Sequence, residues 1–230
     1  MKHYIFSVDG TLADLESPMD PNFMRWFEHW MLKQNVYLCT NNTYQNILPR
    51  LGRRILERSV ATFVCGGNAV WIKNKEAIVK SWRPPSELIS FLEAQLKNSP
   101  FKFRSGPNIE YRTGMISFSV AGKSATEEDR KRYVSWDKQT KERSTLIETI
   151  NKQFPDVFVC RVGEIDIDIM PGVNKSQILQ YFKNEKIMFI GSDFSKNSDE
   201  KPLKTAVEER GGDTHQVHGW SETYKFLQTL

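Results

Sequence analysis

The sequence contains few cysteines and histidines, the residues that form disulfides and zinc sites. Its three cysteines, Cys39, Cys65 and Cys160, lie far apart in apolar runs of the 230-residue chain. An odd number of widely spaced cysteines favours reduced, buried thiols over disulfides or a zinc site. His215 and His218 form a spaced pair with no further cysteine or histidine nearby to complete a site. We therefore expect both histidines at the surface or at a strand end.

Long apolar segments and a large excess of one charge are also absent from the sequence. No run approaches the roughly 18 consecutive apolar residues that a membrane span needs. Asp9 follows the first apolar residues too early for a signal peptide. The formal net charge is +4, and the basic residues are scattered among 28 acidic ones, so charge does not indicate nucleic acid binding. We expect an intracellular, cytoplasmic protein.

The remaining composition fits a soluble globular fold. Hydrophobic residues make up 39% of the chain and charged residues 26%, and 230 residues are enough for a well-buried core. Residues 3–8 form an apolar run, and Asp20 and Pro21 then provide an N-cap and a first-turn proline for a helix. Residues 35–40 follow as a second strand. A strand–helix–strand unit of this length predicts a parallel sheet.

The C-terminal part of the chain repeats this pattern, whereas the middle differs. Asn174 predicts the N-cap of a helix, and residues 187–191 predict an apolar strand that ends at a glycine. Residues 109–122 and 157–170 alternate apolar and polar positions, which is typical of an antiparallel sheet with one solvated face. Two helices are predicted between these segments, the first of them capped by Thr126.

Together these patterns predict a mixed α/β fold with two domains. The expected core consists of residues 1–81 and 171–230 and contains the parallel sheet. The expected insert consists of residues 82–170 and is an α+β domain with the antiparallel sheet. No internal repeat or low-complexity linker interrupts either part.

The strongest local motif lies at the end of the first predicted strand. It reads Phe-Ser-Val-Asp-Gly-Thr-Leu and contains Ser7 and Asp9. Ligands of open α/β sheets collect at the carboxyl ends of the strands. The motif resembles the D-x-D-G-T-L signature of phosphotransferases of the haloacid-dehalogenase (HAD) superfamily, in which the first aspartate attacks phosphorus and the second acts as general acid and base. The resemblance implies that Ser7 occupies the nucleophile position and Asp9 the acid–base position.

Later segments carry the same resemblance. Thr40 follows the second predicted strand and matches the hydroxyl residue that hydrogen-bonds the transferring phosphoryl group. Lys175 matches the lysine that offsets charge between nucleophile and phosphate. Residues 191–199 resemble the acidic fourth motif, G-D-x(n)-N-D, which holds magnesium. The residues implied for a Mg²⁺ site are Asp9, Ser192, Asp193 and Asp199.

The predicted insert narrows the resemblance to eukaryotic-type phosphomannomutases. Its segments 109–115 and 122–138 resemble the cap of those enzymes, where three basic residues grip the distal phosphate of a hexose phosphate. By resemblance these roles fall on Arg112, Lys123 and Arg130, and Lys123 stands where the family has arginine.

The same resemblance implies further ligands and partners. Asp168 matches the cap aspartate that binds sugar hydroxyls, and Asp166 stands beside it where the family has a serine. The family resemblance also implies a phosphorylated small-molecule substrate. A homodimer that forms through the cap is expected on the same ground.

Serine at position 7 alters the chemistry that the family motif implies. An aspartate nucleophile forms a labile acyl phosphate and supplies a carboxylate to magnesium, whereas serine forms a more stable phosphate ester. Ser192 removes a second anionic ligand. We therefore expect weaker Mg²⁺ binding, a more positive pocket and retained phosphate binding. The loop after the motif also lacks the arginine that the family usually carries there.

Three hypotheses for the function remain open from the sequence. The first is a phosphomutase or phosphatase of the HAD superfamily that acts on a sugar phosphate or a similar phosphorylated metabolite. The second is a catalytically inactive pseudoenzyme that binds a phosphorylated ligand or a partner without turnover. The third uses Asp9 as acid or base on a substrate whose phosphate is only a handle.

Overall fold

The computed structural model describes residues 2–230, which form two compact units. The first unit consists of Met1–Lys80 and Asn174–Leu230, and the second consists of Ser81–Val173. The domain limits expected from the sequence stay a prediction. No helix in the described part of the chain is long and apolar enough to cross a membrane.

Strands and helices alternate in the first unit and are grouped differently in the second. The strands are β1 (His3–Ser7), β2 (Asn35–Cys39), β3 (Ala61–Val64), β4 (Ala69–Ile72), β5 (Lys75–Val79), β6 (Ile109–Arg112), β7 (Met115–Ser119), β8 (Val157–Val162), β9 (Asp166–Pro171), β10 (Ile187–Gly191) and β11 (Asp213–Gln216). The α-helices are α1 (Pro21–Trp30), α2 (Tyr44–Arg58), α3 (Ser86–Asn98), α4 (Glu127–Thr140), α5 (Glu142–Gln153), α6 (Lys201–Glu209) and α7 (Trp220–Leu227). Short 3₁₀ helices span Met31–Lys33, Cys65–Gly67 and Lys175–Tyr181.

The first unit contains a seven-stranded sheet in the order β11-β10-β1-β2-β3-β4-β5. The strands from β11 to β3 run parallel, and β4 and β5 add an antiparallel hairpin at one side. The central strands are short apolar runs because both of their faces are buried, as at Phe6 and Phe189. The register pairs Ser7 with Cys39 and Phe6 with Ile190, so β1, β2 and β10 end at one edge. The predicted parallel α/β sheet is confirmed.

Capping residues begin α1 and the 3₁₀ helix that precedes β10. The Asp20 carboxylate accepts hydrogen bonds from the backbone N–H groups of Asn22 and Phe23, both at 2.9 Å, as predicted. Asn174 likewise accepts from the N–H of Ser176 at 2.9 Å. The predicted helix after Asn174 is a seven-residue 3₁₀ helix. Its shortness favours i→i+3 hydrogen bonds, which are frequent in brief connecting segments.

The second unit contains a four-stranded antiparallel sheet in the order β6-β7-β9-β8, as predicted. One face of this sheet packs against α3, α4 and α5 through buried apolar side chains such as Phe118, Tyr133 and Ile167. The opposite face carries the polar positions of the alternating pattern, and we call it the polar face. Its members are Glu110, Arg112, Ser117, Ser119, Asp166 and Asp168.

The expectation that this face is solvated is wrong. Ser117, Ser119 and Asp168 have 0% of their surface exposed. The charged groups on the face form ion pairs, in which Lys123 lies 2.8 Å from Asp166 and Arg112 lies 3.8 Å from Asp168. Pairing of this kind allows polar and charged side chains to be buried.

The cysteines and histidines take ordinary structural positions. Cys39, Cys65 and Cys160 are free and buried, which confirms the expectation of reduced thiols. Burial raises the pKa of the Cys39 thiol to about 12, so this thiol is inert near neutral pH. His215 lies on β11 and stacks on Phe226, with ring centroids 3.6 Å apart.

Candidate active site

The carboxyl edge of the seven-stranded sheet brings together residues from separate segments of the chain. β1 ends at Ser7, whose buried hydroxyl forms a 2.6 Å hydrogen bond with the hydroxyl of Thr11. The chain turns at Gly10, which has a φ of 70°. A Cβ at Gly10 would also lie 2.9 Å from the Cβ of Ser192, so this turn requires glycine. The first motif therefore lies against the end of β10.

Asp9 lies at this carboxyl edge, but its carboxylate is already bound. Oδ1 pairs with Nη2 of Arg50 at 2.6 Å, and Oδ2 accepts a hydrogen bond from Nδ2 of Asn42 at 2.9 Å. The backbone carbonyl of Asp9 accepts from the hydroxyl of Ser192 at 2.9 Å. Proton transfer by Asp9 would require the ion pair with Arg50 to open.

Arg50 is a site residue that the sequence reasoning did not identify. Its guanidinium also donates to the backbone carbonyls of Asp14 and Ser17, both at 3.0 Å, so it braces the loop after the first motif. The α2 helix is interrupted at Gly52, which has a φ of 78°, and the carbonyl of Arg50 is free to accept from the N–H of Met19 at 2.9 Å. The only signal for Arg50 in the sequence was its position between a proline and a glycine, which now proves to lie inside α2. Arg50 brings a guanidinium from α2 to the loop after the first motif, which has no arginine of its own.

Thr40 and Lys175 also lie at the carboxyl edge. Thr40 follows β2, is buried, and accepts a hydrogen bond from the N–H of Asn42 at 3.0 Å through its hydroxyl. Lys175 is buried, and its ammonium forms an ion pair with the Asp199 carboxylate. Burial lowers the pKa of Lys175, but the carboxylates of Asp199 and Glu200 help to raise it overall. The lysine is therefore a fixed positive charge.

Glu200 is the second residue that the sequence reasoning did not identify. Its buried carboxylate accepts hydrogen bonds from the N–H groups of Ser192 at 2.7 Å and Asp193 at 3.1 Å. The side chain of Ser7 lies close enough to lower the pKa of Glu200. Burial raises the pKa of Glu200 to about 7, although the charge of Lys175 opposes this rise. The signal in the sequence was a further acidic residue directly after Asp199 at the start of α6.

Glu200 changes the charge expected at the carboxyl edge. A Cβ at position 191 would lie 2.3 Å from Oε2 of Glu200, so the glycine that ends β10 makes room for this carboxylate. The expected increase in positive charge does not hold, because Glu200 returns a carboxylate to the place where Ser7 and Ser192 lack one. Lys175 faces two carboxylates rather than an excess of uncharged groups.

The residues that the resemblance assigned to Mg²⁺ do not form a converging donor set. Asp193 accepts a hydrogen bond from the N–H of Ser195 at 2.8 Å in its own loop, and Asp199 pairs with Lys175. Ser192 donates its hydroxyl to a backbone carbonyl rather than offering an anionic ligand. Among residues 2–230, no three acidic, histidine or cysteine side chains are grouped as a metal site. Magnesium, which prefers several hard oxygen ligands, does not fit this arrangement.

The polar face of the second unit brings together most of the predicted sugar-binding residues. Nε and Nη2 of Arg112 donate to Oε2 of Glu110 at 3.0 and 2.5 Å, and Nη1 lies 3.8 Å from Oδ2 of Asp168. The Lys123 ammonium donates to the hydroxyl of Ser117 at 2.6 Å and to Oδ1 of Asp166 at 2.8 Å. The strand register brings these residues together, because Ser117 pairs with Asp168 and Ser119 pairs with Asp166 across β7 and β9.

Two further details complete the polar face. Burial raises the pKa of Asp168, and Arg112 and Lys123 act against this rise. Arg130, the third basic residue expected to bind phosphate, lies on α4, where its Nε donates to the carbonyl of Ala125 at 3.2 Å. The predicted ligands on this face therefore already bind one another.

Known proteins share both the sequence and the fold of this chain. A family model described as eukaryotic phosphomannomutase matches residues 72–229, a range that includes the polar face and Lys175 but not Ser7 or Asp9. A phosphomannomutase of Saccharomyces cerevisiae is 25% identical over 245 residues, which cover 98% of this chain and 92% of the yeast protein. A phosphomannomutase of Drosophila melanogaster is 26% identical, with 81% of this chain and 80% of that protein covered.

Solved structures with lower identity show the same fold. A trehalose-6-phosphate phosphatase related protein has a TM-score of 0.57 at 17% identity, with 98% of this chain and 96% of that chain covered. An N-terminally truncated IMP-nucleotidase of Plasmodium falciparum has a TM-score of 0.62 at 15% identity, with 100% of this chain and 70% of that chain covered. The HAD-like α/β core with an inserted α+β cap is confirmed. Because the family model matches more than half of the sequence, the chain belongs to the eukaryotic phosphomannomutase family.

Proposed function

We propose that this chain is a phosphoryl-transfer enzyme acting on a sugar phosphate, with Ser7 as the nucleophile and Glu200 as its general base. The observation that carries the proposal is the proximity of the buried Ser7 side chain to the buried Glu200 carboxylate, whose pKa the Ser7 side chain lowers. A hydroxyl beside a base that a third group orients is the arrangement that activates serine nucleophiles. The orienting groups here are the N–H groups of Ser192 and Asp193.

In the proposed first step, the Ser7 oxygen attacks phosphorus while its proton moves to Glu200. The bond between phosphorus and the sugar oxygen breaks, and Glu200 returns the proton to that oxygen, which leaves as a sugar hydroxyl. Water then attacks the phosphate ester on Ser7, again with Glu200 as base. The bond between phosphorus and the Ser7 oxygen breaks, Glu200 returns the proton to that oxygen, and inorganic phosphate leaves. A second sugar hydroxyl in place of water would make the reaction a phosphomutase reaction.

Neighbouring groups support this chemistry. Lys175 is a buried, fixed positive charge, and such charges stabilise the negative charge that spreads over phosphoryl oxygens in the transition state. Thr11 hydrogen-bonds the Ser7 hydroxyl at 2.6 Å and so restricts its orientation. Thr40 stays a predicted hydrogen-bond donor to the phosphoryl group. We assign no step to magnesium, because the available donor set does not fit it.

The names of the sequence relatives support the substrate class. The yeast and fruit-fly relatives are phosphomannomutases, so a hexose phosphate is the first substrate to test. The dimer expected through the second unit belongs to the same proposal, and light scattering on the purified chain measures it. A cytoplasmic location is likewise proposed from the resemblance to this family.

Phosphate release from a panel of hexose monophosphates tests the proposed function. We expect release by the wild-type chain and a loss of at least about 10³-fold in Ser7→Ala, as for removal of other serine nucleophiles. Ser221→Ala, which changes an exposed serine on α7, is the matched control and should keep full activity. A metal chelator should have little effect. Equal release by Ser7→Ala and wild type would show that Ser7 is not the nucleophile.

A second candidate function is binding of a phosphorylated ligand without turnover. The ion pair between Asp9 and Arg50 favours it, because that pair occupies the predicted acid–base residue. Tight binding of a hexose phosphate with no release of phosphate across the panel would support this alternative. The third hypothesis, acid–base chemistry by Asp9 alone, gains nothing from a geometry in which both carboxylate oxygens have partners.

A further inference from the structure

We infer that Gln177 is a positioning residue for the proposed reaction, because its side-chain amide holds the segment that carries Lys175 in place at the carboxyl edge. This inference rests on the proposed function and adds a residue that acts through Lys175 rather than on the substrate. Gln177 lies two residues after Lys175, outside the motifs that the sequence indicated.

The segment that carries Lys175 does not fix its own position. Lys175–Tyr181 is a seven-residue 3₁₀ helix, and such helices have poorer hydrogen-bond geometry than α-helices. The chain re-enters the first unit only at Asn174, one residue before the lysine. The lysine therefore does not continue a strand of the seven-stranded sheet, whereas Ser7 ends β1 and Thr40 follows β2. Contacts with the rest of the first unit must hold its ammonium group in place.

Gln177 provides such contacts through both ends of its amide. Its Nε2 donates to the backbone carbonyl of Gly66 at 2.8 Å and to Oδ1 of Asn68 at 3.1 Å. Its Oε1 accepts a hydrogen bond from the ammonium of Lys80 at 2.7 Å. Because a side-chain amide has two N–H donors and one carbonyl acceptor, both of its polar atoms are bonded here. The side chain is thus held in one orientation.

The loop that receives these hydrogen bonds is itself bound to the candidate site. It spans residues 65–68, and we call it the bridging loop. The N–H of Gly66 donates to the carbonyl of Thr40 at 3.0 Å, and the N–H of Cys65 donates to the carbonyl of Asn42 at 3.0 Å. The bridging loop therefore connects the end of β2 with the helix that carries the catalytic cation.

Close packing reinforces the contact between the bridging loop and this helix. Gly67 has a φ of 90°, and a Cβ there would lie 2.7 Å from Cγ2 of Ile178 and 3.2 Å from Cγ of Gln177. The two segments approach so closely that only glycine fits between them. Ile178 is buried in the same core cluster as Phe63 and Phe189. Packing and hydrogen bonds together leave the helix little freedom to shift.

The position of the helix matters because a fixed cation stabilises a transition state only where it is already correctly placed. A misplacement of about 1 Å can cost about 10²-fold in rate. Without the amide of Gln177, Lys175 would keep its ion pair with Asp199, but its helix would be free to shift relative to the end of β2. Gln177 thus sets the distance of the ammonium group from Ser7 and Thr40.

Substitution of Gln177 in the full chain tests this inference. Gln177→Leu removes all three hydrogen bonds, so kcat for phosphate release from a hexose 6-phosphate should fall at least about tenfold, with KM changed less than about twofold. Gln177→Glu keeps the length of the side chain but cannot donate to the bridging loop, and it should lose as much. Gln180→Leu, an exposed residue of the same helix, is the matched control and should keep full activity. Full activity of Gln177→Leu would overturn the inference and leave the proposed function intact.

A spectroscopic signature separates positioning from a loss of folded protein. NMR of the chain labelled with ¹⁵N-lysine would follow the buried ammonium group of Lys175, whose resonance Lys175→Arg identifies. We expect this resonance to shift in folded Gln177→Leu and to stay in place in Gln180→Leu. An unmoved resonance would overturn the inference even if activity falls. If wild type releases no phosphate, the proposed function fails, and the resonance still decides whether Gln177 positions Lys175.

A change in the bridging loop keeps the inference testable if Gln177→Leu does not fold. Gly67→Ala and Gly211→Ala both place alanine at a left-handed φ, of 90° and 73°. Only the Cβ at position 67 presses on Ile178 and Gln177, because a Cβ at position 211 would have no atom of the described residues within 4 Å. We expect a shifted Lys175 resonance and a fall in kcat of at least about fivefold in Gly67→Ala alone. Equal effects of the two substitutions would overturn the inference.

Discussion

The carboxyl edge of the seven-stranded sheet and the polar face of the four-stranded sheet hold their charges in different ways. At the edge, ion pairs join residues that are distant in the sequence, as in Asp9 with Arg50. On the polar face, ion pairs lie within one antiparallel sheet and its flanking residues, as in Arg112 with Glu110 and Lys123 with Asp166. The edge therefore keeps a hydroxyl–carboxylate contact beside a fixed cation, which suits a reaction. The polar face instead has its cations matched by its own carboxylates.

Removal of the cation at the carboxyl edge should give the largest change in stability. Lys175→Met would leave the buried carboxylate of Glu200 and the partly buried carboxylate of Asp199 without their cation, and breaking a buried ion pair costs about 3–5 kcal/mol. Urea unfolding monitored by circular dichroism measures this loss. Lys183→Met, which changes an exposed lysine nearby in the sequence, is the control and should cost little. A loss below about 1 kcal/mol for Lys175→Met would mean that the edge does not depend on this ion pair.

The pH dependence of stability sharpens the description of Glu200. Burial raises its pKa from 4.5 to about 7 in the folded chain, with Lys175 opposing the rise. A carboxyl group with a raised folded pKa binds its proton more tightly in the folded state, so its contribution to stability is present at low pH. That contribution is lost as the pH rises from about 4.5 to about 7. The free energy of unfolding of wild type should therefore fall across this window relative to Glu200→Gln, and parallel pH curves for the two proteins would contradict the raised pKa.

A smaller effect is expected from a change that crowds the same carboxylate. Gly191→Ala would place a Cβ 2.3 Å from Oε2 of Glu200, and overpacking of this kind costs about 1–3 kcal/mol. Thermal unfolding of the single and double variants with Glu200→Ala measures the coupling between the two sites. The double variant should be more stable than the sum of the two single changes predicts. Simple additivity would show that Glu200 does not lie against the end of β10.

The smallest effect separates two serines on the polar face. Ser119→Ala removes a buried hydroxyl without a partner in the described chain, so the free energy of unfolding should stay equal or rise by up to about 1 kcal/mol. Ser117→Ala removes a hydroxyl that accepts a 2.6 Å hydrogen bond from Lys123, and it should cost about 1 kcal/mol. Urea unfolding of both variants compares them directly. A larger loss for Ser119→Ala than for Ser117→Ala would contradict the assignment of Ser119 as an unsatisfied group.

The sequence predicted those features of the fold that depend on local patterns. The alternation in β9 and the apolar runs of β1 and β10 identified two kinds of sheet, and Asp20 fixed the start of α1. The helix after Asn174 was predicted without its 3₁₀ type, because a seven-residue segment carries too little periodicity to separate 3₁₀ from α. The prediction that the polar face is solvated was also wrong. Alternation shows which residues share a face, but not whether those residues are buried and paired with each other.

Residues of the candidate site that lie in a sequence motif could be predicted. Residues that reach the site only through tertiary contacts could not. Ser7, Asp9, Thr40 and Lys175 follow strand ends or a capping residue, so their placement at the carboxyl edge could be anticipated from the motifs. Arg50 could not, because it reaches this edge through a kink in α2. Glu200 could not either, because its neighbour Asp199 matched the motif equally well. The structure separates the two acids by their contacts, since Asp199 pairs with Lys175 and Glu200 contacts Ser7.

The most direct test of this account is a search for a phosphoryl group on Ser7. The wild-type chain would be mixed with excess hexose 6-phosphate and quenched in acid, and the N-terminal peptide would be examined by mass spectrometry. We expect phosphate on Ser7 in wild type and a loss of about 10²–10⁴-fold in its rate of formation in Glu200→Gln. Glu209→Gln, an exposed residue of α6, is the control and should behave as wild type. Release of phosphate by a chain whose Ser7 is never phosphorylated would contradict the account.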